Sequence, residues 1–129
     1  MSKLLGIDWG SKRIGLAIAG VETKLARPLP SLSAGSNLSR QLAEICQQQG
    51  VTKLVLGLPR GLNGQETAQT RQVRQFAKEL QAQLNLPIVL QDEALTTQAI
   101  KQRQSRGKPK MDIDSEAAAM ILQDYLETL

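Results

Sequence analysis

The chain opens with two short apolar runs, KLLGIDW (residues 3–9) and RIGLAIA (13–19), separated only by GSK. Two β-rich runs joined by a glycine-started turn predict a hairpin. A third strand is predicted through TKLARPLPSL (23–32), where Pro28 and Pro30 favour the edge of a sheet. The first quarter of the chain therefore predicts an antiparallel meander.

Helices and strands alternate in the rest of the chain. Apolar residues at helical spacing and short apolar runs closed by Gly or Pro predict the following elements: a helix over 36–50 that ends at Gly50, a buried parallel strand over 51–59, a loop over 60–66, a long helix that ends at Asn85 and Pro87, a strand over 87–93, a helix from 95, a basic loop over 105–110 and a terminal helix after Asp114. This order predicts an α/β fold with a mixed five-stranded sheet, in which parallel strands extend the meander and helices flank it. Sites in such folds lie at the carboxyl-terminal edge of the sheet.

The length of 129 residues, with 41% hydrophobic and 22% charged residues, predicts a single globular domain over 1–129. No apolar run approaches the roughly 20 residues that cross a bilayer, and the first residues lack the pattern of a signal peptide. We therefore expect a cytoplasmic protein without a membrane partner. Cys46 is the only cysteine and lies among apolar helix positions, so we expect a buried thiol.

Histidine is absent, which excludes serine and cysteine triads that use it and nearly every zinc site. The net charge of +4 permits a polyanionic partner. Five of the ten residues 101–110 are basic, and Arg71, Arg74 and Lys78 recur earlier at helical spacing. The candidates for phosphate contacts are Arg71, Arg74, Arg103, Arg106, Lys108 and Lys110, and solvated faces with a flexible loop are an equally good explanation of them.

Three acids are predicted to reach one edge of the sheet. Asp8 ends an apolar strand, where a carboxylate needs a cation, a metal or several hydrogen-bond donors, although a local turn onto Gly10 and Ser11 is an alternative. Asp92 and Glu93 close a later strand, and adjacent strand residues point to opposite faces, so only one is expected to face Asp8. Asp114 is the third acid, and capping of the terminal helix is its alternative role.

Together these acids favour a metal site. Clustered carboxylates repel one another unless something neutralises them, and oxygen-only ligation suits Mg²⁺ or Mn²⁺. Such ions support phosphodiester hydrolysis, and the basic segments would hold a phosphate backbone. The pattern therefore predicts a metal-dependent nuclease.

Four segments, GIDWGSKRIGLAIA, VLGLPRGLNGQE, LPIVLQDEALTT and DSEAAAMILQDYL, resemble the YqgF or RuvX family of Holliday junction resolvases and pre-16S rRNA nucleases. The resemblance runs in order from Leu4 to Leu126 and implies a ribonuclease H-like fold. It also implies an acidic site and residues around it, which are Asp8, Glu93 and Asp114 as the catalytic and metal-binding acids, Lys12 and Arg13 as phosphate contacts, and Gly57, Pro59, Gly64, Thr96 and Thr97 at the rim. The paired threonines could equally cap a helix.

The sequence departs from the family at two positions. Ala94 replaces the arginine that usually follows the acidic pair, so one cation is missing. Trp9 stands where the family usually has a small or β-branched residue, and we expect it to be a core residue rather than one that packs on nucleic acid. Both changes affect substrate binding more than the acids.

These observations predict a nuclease that processes the 5′ end of pre-16S rRNA, either monomeric or homodimeric. Junction resolution is the nearest alternative, and it would require a symmetric dimer. A catalytically silent RNA-binding module is a second alternative, although aromatic residues at 2% do not favour base stacking. An ATPase is a third, but it would normally need two related domains.

Overall fold

The structure, a computed structural model, describes residues 2–93 and 110–129, with side chains from 113 in the second range. The described elements are the strands β1 (Lys3–Asp8), β2 (Arg13–Gly20), β3 (Arg27–Ser33), β4 (Val51–Pro59) and β5 (Ile88–Glu93) and the helices α1 (Leu38–Gln49), α2 (Ala68–Leu84) and α3 (Lys110–Leu126). A short 3₁₀ turn, Leu62–Gly64, follows β4.

The five strands form one mixed sheet in the order β3-β2-β1-β4-β5. β1 pairs with β2 and β2 with β3 in antiparallel fashion, whereas β4 pairs with β1 and β5 with β4 in parallel fashion. The predicted meander with a parallel extension is therefore confirmed. β3, with Pro28 and Pro30, forms one edge, where a residue without an N–H is tolerated.

The two faces of the sheet carry different side chains. Large aliphatic residues alternate along β1, β2 and β4 and pack against α1 and α2; on these strands they are Leu5, Ile7, Ile14, Leu16, Ile18, Leu54, Leu56 and Leu58. The opposite face carries smaller residues, including Ala17, Ala19 and Val55, and packs against α3. Because side chains alternate along a strand, Asp8 points to the α3 face.

Trp9 follows β1 and packs against the core on the opposite face, where its ring centroid lies 6.4 Å from that of Phe76. Its position matches the expected core role. Buried Cys46 also lies in this core, and burial raises the pKa of its thiol.

Several predicted ends of elements were wrong or shifted. Helix α3 already includes Lys110, so Asp114 lies inside this helix and is not its N-cap, and Lys110 does not belong to a loop. β3 begins only at Arg27, since a turn over 21–23 and a left-handed Lys24 (φ 56°) precede it. The predicted ends of α1 at Gly50 and of α2 at Asn85 are confirmed, because both residues adopt the left-handed conformation that closes a helix.

The predicted helix from 95, Thr96, Thr97, Ala94 and the basic residues Arg103, Arg106 and Lys108 lie outside the described residues. Within the described residues, none of the helices is both long and apolar enough to span a membrane.

Candidate active site

Asp8 ends β1 at the carboxyl-terminal edge of the sheet and is 5% exposed. Its partner across the hairpin is Gly15 on β2. A Cβ atom on Gly15 would overlap the carbonyl oxygen of Asp114, so the backbone of α3 lies directly on this glycine. The hairpin thus brings the amino-terminal part of α3 beside Asp8.

Ser115 fixes α3 at the same place. It is 3% exposed, and its Oγ accepts a hydrogen bond from the backbone N–H of Leu16 at 3.4 Å. Leu16 follows Gly15, so the contact and the hydrogen bond join neighbouring residues of β2 to neighbouring residues of α3. This attachment determines where Asp114 sits relative to the sheet.

Glu93 ends β5 and shares the face of Asp8. It pairs with Pro59 of β4, and a Cβ atom on Gly57 would lie 3.3 Å from both Cγ and Cδ of Glu93. The same Cβ would lie 2.5 Å from Cδ1 of Ile121 on α3. The Glu93 side chain therefore lies across Gly57 beneath α3. Ile7 and Leu56 form the last pair of the β1–β4 ladder, and Asp8 and Gly57 come next on these neighbouring strands.

Asp92 points to the other face of the sheet, as the alternation of strand side chains requires. Its side chain is 67% exposed, and its Oδ1 accepts a hydrogen bond from Arg60 Nε at 3.2 Å. The structure therefore separates the two neighbouring acids, and Glu93 is the one on the same face as Asp8.

The donor chemistry fits a hard divalent cation, because Asp8 and Glu93 are carboxylates on one face of the sheet and Asp114 is a carboxylate on the helix that packs against this face. The geometry is less complete. In the part of the chain that the structure describes, no group of three or more His, Cys, Asp or Glu side chains could hold a metal ion. Asp8 and Glu93 thus share a face and an edge, with the backbone of Asp114 beside them, and the described residues do not form a closed ligand set.

Lys12 lies on the turn between β1 and β2, and Arg13 is the first residue of β2; both are exposed at the same edge as Asp8. The turn is compact, since a Cβ atom on Gly10 would lie 2.6 Å from the carbonyl oxygen of Arg13. The carbonyl oxygen of Lys12 also accepts a hydrogen bond from Ala34 N at 2.9 Å. The backbone is thereby held while both cationic side chains extend into solvent.

An ion-pair network occupies the rim beyond β4. Arg74 donates to both carboxylate oxygens of Glu66, from Nε at 3.0 Å and Nη2 at 3.2 Å. Arg60 Nη1 lies 3.7 Å from Glu66, so this arginine connects Glu66 to Asp92. The hydrogen bond from Arg74, more than the charges of Arg60 and Arg71, lowers the pKa of Glu66.

This network changes the interpretation of the predicted phosphate contacts on α2. Arg74 is bound to Glu66, whereas Arg71 is exposed. The sequence analysis did not single out Arg60, Glu66 or Ser115, nor Gly15 beneath α3. The small residues Gly15, Ala17 and Ala19 recur with a period of two, and that pattern could have indicated a closely packed helix.

The predicted rim residues have different surroundings. Gly57 lies beneath Glu93 and Ile121, and Pro59 pairs with Glu93. Gly64 adopts a positive φ of 75° at the end of the 3₁₀ turn, with open space around it. Gly57 and Pro59 therefore adjoin the acids, while Gly64 shapes the turn beyond them.

A family model described as RuvX, Holliday junction resolvase, matches residues 2–128. The chain belongs to the RuvX family. Its relatives include proteins named "Putative pre-16S rRNA nuclease" from Chloroflexus aggregans, 39% identical over 96% of this chain and 92% of the relative, and from Thermosynechococcus vestitus, 40% identical over 98% and 89%. The predicted family is therefore confirmed.

The fold of this RuvX-family protein is also found in known resolvases. Thermus thermophilus RuvC in complex with a Holliday junction substrate superposes with a TM-score of 0.62 at 15% identity, covering 98% of this chain and 94% of RuvC. The fowlpox virus Holliday junction resolvase gives 0.56 at 16% identity, covering 98% and 99%. The predicted ribonuclease H-like fold is confirmed.

Proposed function

We propose that this RuvX-family protein is a nuclease that hydrolyses phosphodiester bonds of structured nucleic acid, and that its substrate is the 5′ end of pre-16S rRNA in the cytoplasm. The observation that carries the proposal is the placement of Asp8, a carboxylate 5% exposed, on the same face and edge of the sheet as Glu93 and beside the start of α3. The family and the names of the relatives support the same activity.

Asp8, Glu93 and Asp114 would hold Mg²⁺ or Mn²⁺, whose hard character matches three carboxylates. When bound, such a cation stabilises the negative charge that develops during phosphodiester hydrolysis. The protein positions its acids through packing: Asp8 by the hairpin, Glu93 by Gly57, and Asp114 by the contact of its backbone with Gly15.

Lys12 and Arg13 would hold the phosphate backbone at the edge beside Asp8, and Arg71 would extend this contact along α2. Exposed cations that contact phosphates make binding strongly dependent on salt. Arg103, Arg106, Lys108 and Lys110 are proposed as further phosphate contacts on the ground of their charge alone.

The proposal is tested by incubating the protein with precursor 16S rRNA and with a four-way DNA junction, with and without Mg²⁺. Glu93→Gln should slow cleavage by about a hundredfold or more, as expected for loss of a group that stabilises the transition state. Asp8→Asn should do the same. Asp92→Asn is the matched control: it alters the neighbouring acid on the opposite face and should change the rate by no more than about twofold, because its ion pair is exposed.

Equal rates for Glu93→Gln and the wild type in metal-replete buffer would contradict the proposed site. Firm, salt-sensitive binding of RNA without any cleavage would favour the silent binding module instead.

Junction resolution is the second candidate, because the matching family is described as Holliday junction resolvase. It requires two opposed cuts and therefore two sites in a symmetric dimer. Faster cleavage of the junction than of the precursor, by a protein that sediments as a dimer on the junction, would favour it.

A further inference from the structure

Leu62 lies at the tip of the 3₁₀ turn after β4, and its side chain is 71% exposed. A single exposed leucine is ordinary on a protein surface, so its exposure alone indicates nothing. Two further features distinguish Leu62. The turn that carries it is held by hydrogen bonds and packing, and the turn begins beside the edge of the sheet where Asp8 and Glu93 lie.

Backbone hydrogen bonds close the turn on itself. Gly61 N donates to Gln65 O at 2.8 Å, Gly64 N to Gly61 O at 3.2 Å, and Gln65 N to Leu62 O at 3.3 Å. Asn63 and Gly64 adopt left-handed φ values of 60° and 75°, which complete the reversal. The backbone of Leu62 is therefore already ordered, and a contact made by its side chain would cost little backbone entropy.

The base of the turn is attached to the sheet and to α2. Thr70, fully buried, donates its Oγ1 hydrogen to the carbonyl oxygen of Pro59 at 2.5 Å and forms a capping box with Thr67. The Cγ2 methyl of Thr67 lies 3.0 Å from the point where a Cβ atom on Gly61 would stand. The turn thus cannot shift without disturbing the end of β4 or the start of α2.

The turn starts next to the candidate active site. Pro59 pairs with Glu93, and Arg60 follows it with its guanidinium between Asp92 and Glu66. An apolar tip is therefore carried by a turn that begins two residues after Pro59, the pairing partner of the proposed catalytic acid Glu93. The nucleic acid substrate of the proposed function offers a matching surface, since the faces of its bases are apolar.

We propose that Leu62 packs against the face of a base at the end of an RNA helix and holds that base unstacked beside the cleaved phosphate. The proposal rests on the proposed function, because it assigns a residue to recognition of the same substrate. Apolar side chains that enter a base step separate the bases at a cost in free energy, which phosphate contacts elsewhere offset. Lys12 and Arg13 would provide such contacts at the same edge.

The test uses Asp8→Asn protein, which should bind without cutting, and a short RNA duplex with a single-stranded 5′ extension and 2-aminopurine at the terminal pair. Binding should raise the fluorescence of 2-aminopurine, which is quenched while the base is stacked. Adding Leu62→Ala should abolish this rise and weaken binding by about tenfold, the loss expected when one leucine no longer buries its surface. Adding Leu62→Phe instead should retain both.

Leu25→Ala is the matched control. Leu25 is 72% exposed, almost equal to Leu62, but it lies between β2 and β3 at the opposite edge of the sheet. Its replacement should change neither fluorescence nor affinity, and both variants should melt at the wild-type temperature because neither side chain is buried.

The role of Leu62 would be overturned if Leu62→Ala left the fluorescence rise unchanged, or if Leu25→Ala lost as much of the rise as Leu62→Ala. Cleavage by the wild type would leave the proposed function intact in either case. If the wild type neither cleaved the precursor nor bound the duplex, both proposals would fail together.

Discussion

The two faces of the sheet differ in how closely a helix approaches them. On the α1 and α2 face the strands present leucine and isoleucine, and these side chains keep the helices at the distance that their own volume requires. On the α3 face, glycines replace side chains. Cβ atoms on Gly6, Gly15 and Gly57 would each meet atoms of α3 at 2.8 Å or less. On this face, therefore, the backbone of α3 comes into direct contact with the sheet.

If the proposed site is correct, this difference separates stability from function within one small fold. The bulky face buries most of the large aliphatic side chains, whose removal from water is the main source of folding free energy. The glycine-rich face carries Asp8 and Glu93, and the backbone of Asp114 on the close helix lies on Gly15, the pairing partner of Asp8. Mutations on the two faces should therefore have effects of different kinds.

The largest effect on stability is expected from Leu54→Ala on the bulky face. Leu54 is fully buried on β4, which has a neighbouring strand on each side, and its truncation should lower the free energy of unfolding by about 2–5 kcal/mol. The measurement is urea unfolding at neutral pH. The protein that remains folded should cleave at close to the wild-type rate, because Leu54 faces away from the acids. Slow cleavage by Leu54→Ala protein that is fully folded would contradict the proposed separation of the two faces.

Gly15→Ala should reverse this pattern. The added methyl group would overlap the carbonyl oxygen of Asp114, so α3 must move away from β2. Overpacking of this kind costs about 1–3 kcal/mol of stability, and a displacement of about 1 Å at the site can slow cleavage by about a hundredfold.

Gly35→Ala is the control for Gly15→Ala, since nothing lies within 4 Å of the position that its Cβ would take. It should leave cleavage and unfolding unchanged. Full activity of Gly15→Ala would show that the close contact of α3 with β2 does not position the site.

The features that the sequence predicted correctly depend on local patterns, whereas those that it missed depend on long-range contacts. Period-two alternation assigned Glu93 and Asp92 to different faces, because that rule needs only neighbouring residues. The strand order also followed from local patterns, since short connections and parallel crossovers leave few alternatives. Asp114 was interpreted as a possible helix cap, because an aspartate before an alanine-rich segment is locally typical of one. The helix instead already includes Lys110, and the packing of its Asp114 backbone on Gly15 is a long-range contact that no local pattern shows.

The ion-pair network could not be predicted for a related reason. Arg60 and Asp92 are 32 residues apart, and only the parallel pairing of β4 with β5 brings them together. Charge patterns along α2 indicated cations at Arg71 and Arg74 but not that Glu66 binds one of them. Residue spacing thus predicted which charges lie at the edge, and tertiary structure determines which remain available to a phosphate.

The smallest effect on stability is expected from this ion-pair network, which links α2 to the end of β5. Arg74 and Glu66 are 39% and 43% exposed, so water and salt screen their attraction. Because Arg74 lowers the pKa of Glu66 below its ordinary value of 4.5, the folded state favours the carboxylate. The resulting stabilisation is present above the ordinary pKa and is lost as the pH falls through the lowered one.

Glu66→Gln should therefore be slightly less stable than the wild type at pH 7, and the difference should disappear on acidification below pH 4.5 and shrink in about 1 M salt. Thermal unfolding of both proteins between pH 7 and pH 3 measures it. Glu44→Gln on α1 is the control, because Glu44 meets Arg40 through a single 3.9 Å contact and should matter less. A loss of stability in Glu66→Gln that persisted at pH 3 would mean that Glu66 acts through packing and not through its charge. The rim would then be stabilised in the same way as the bulky face.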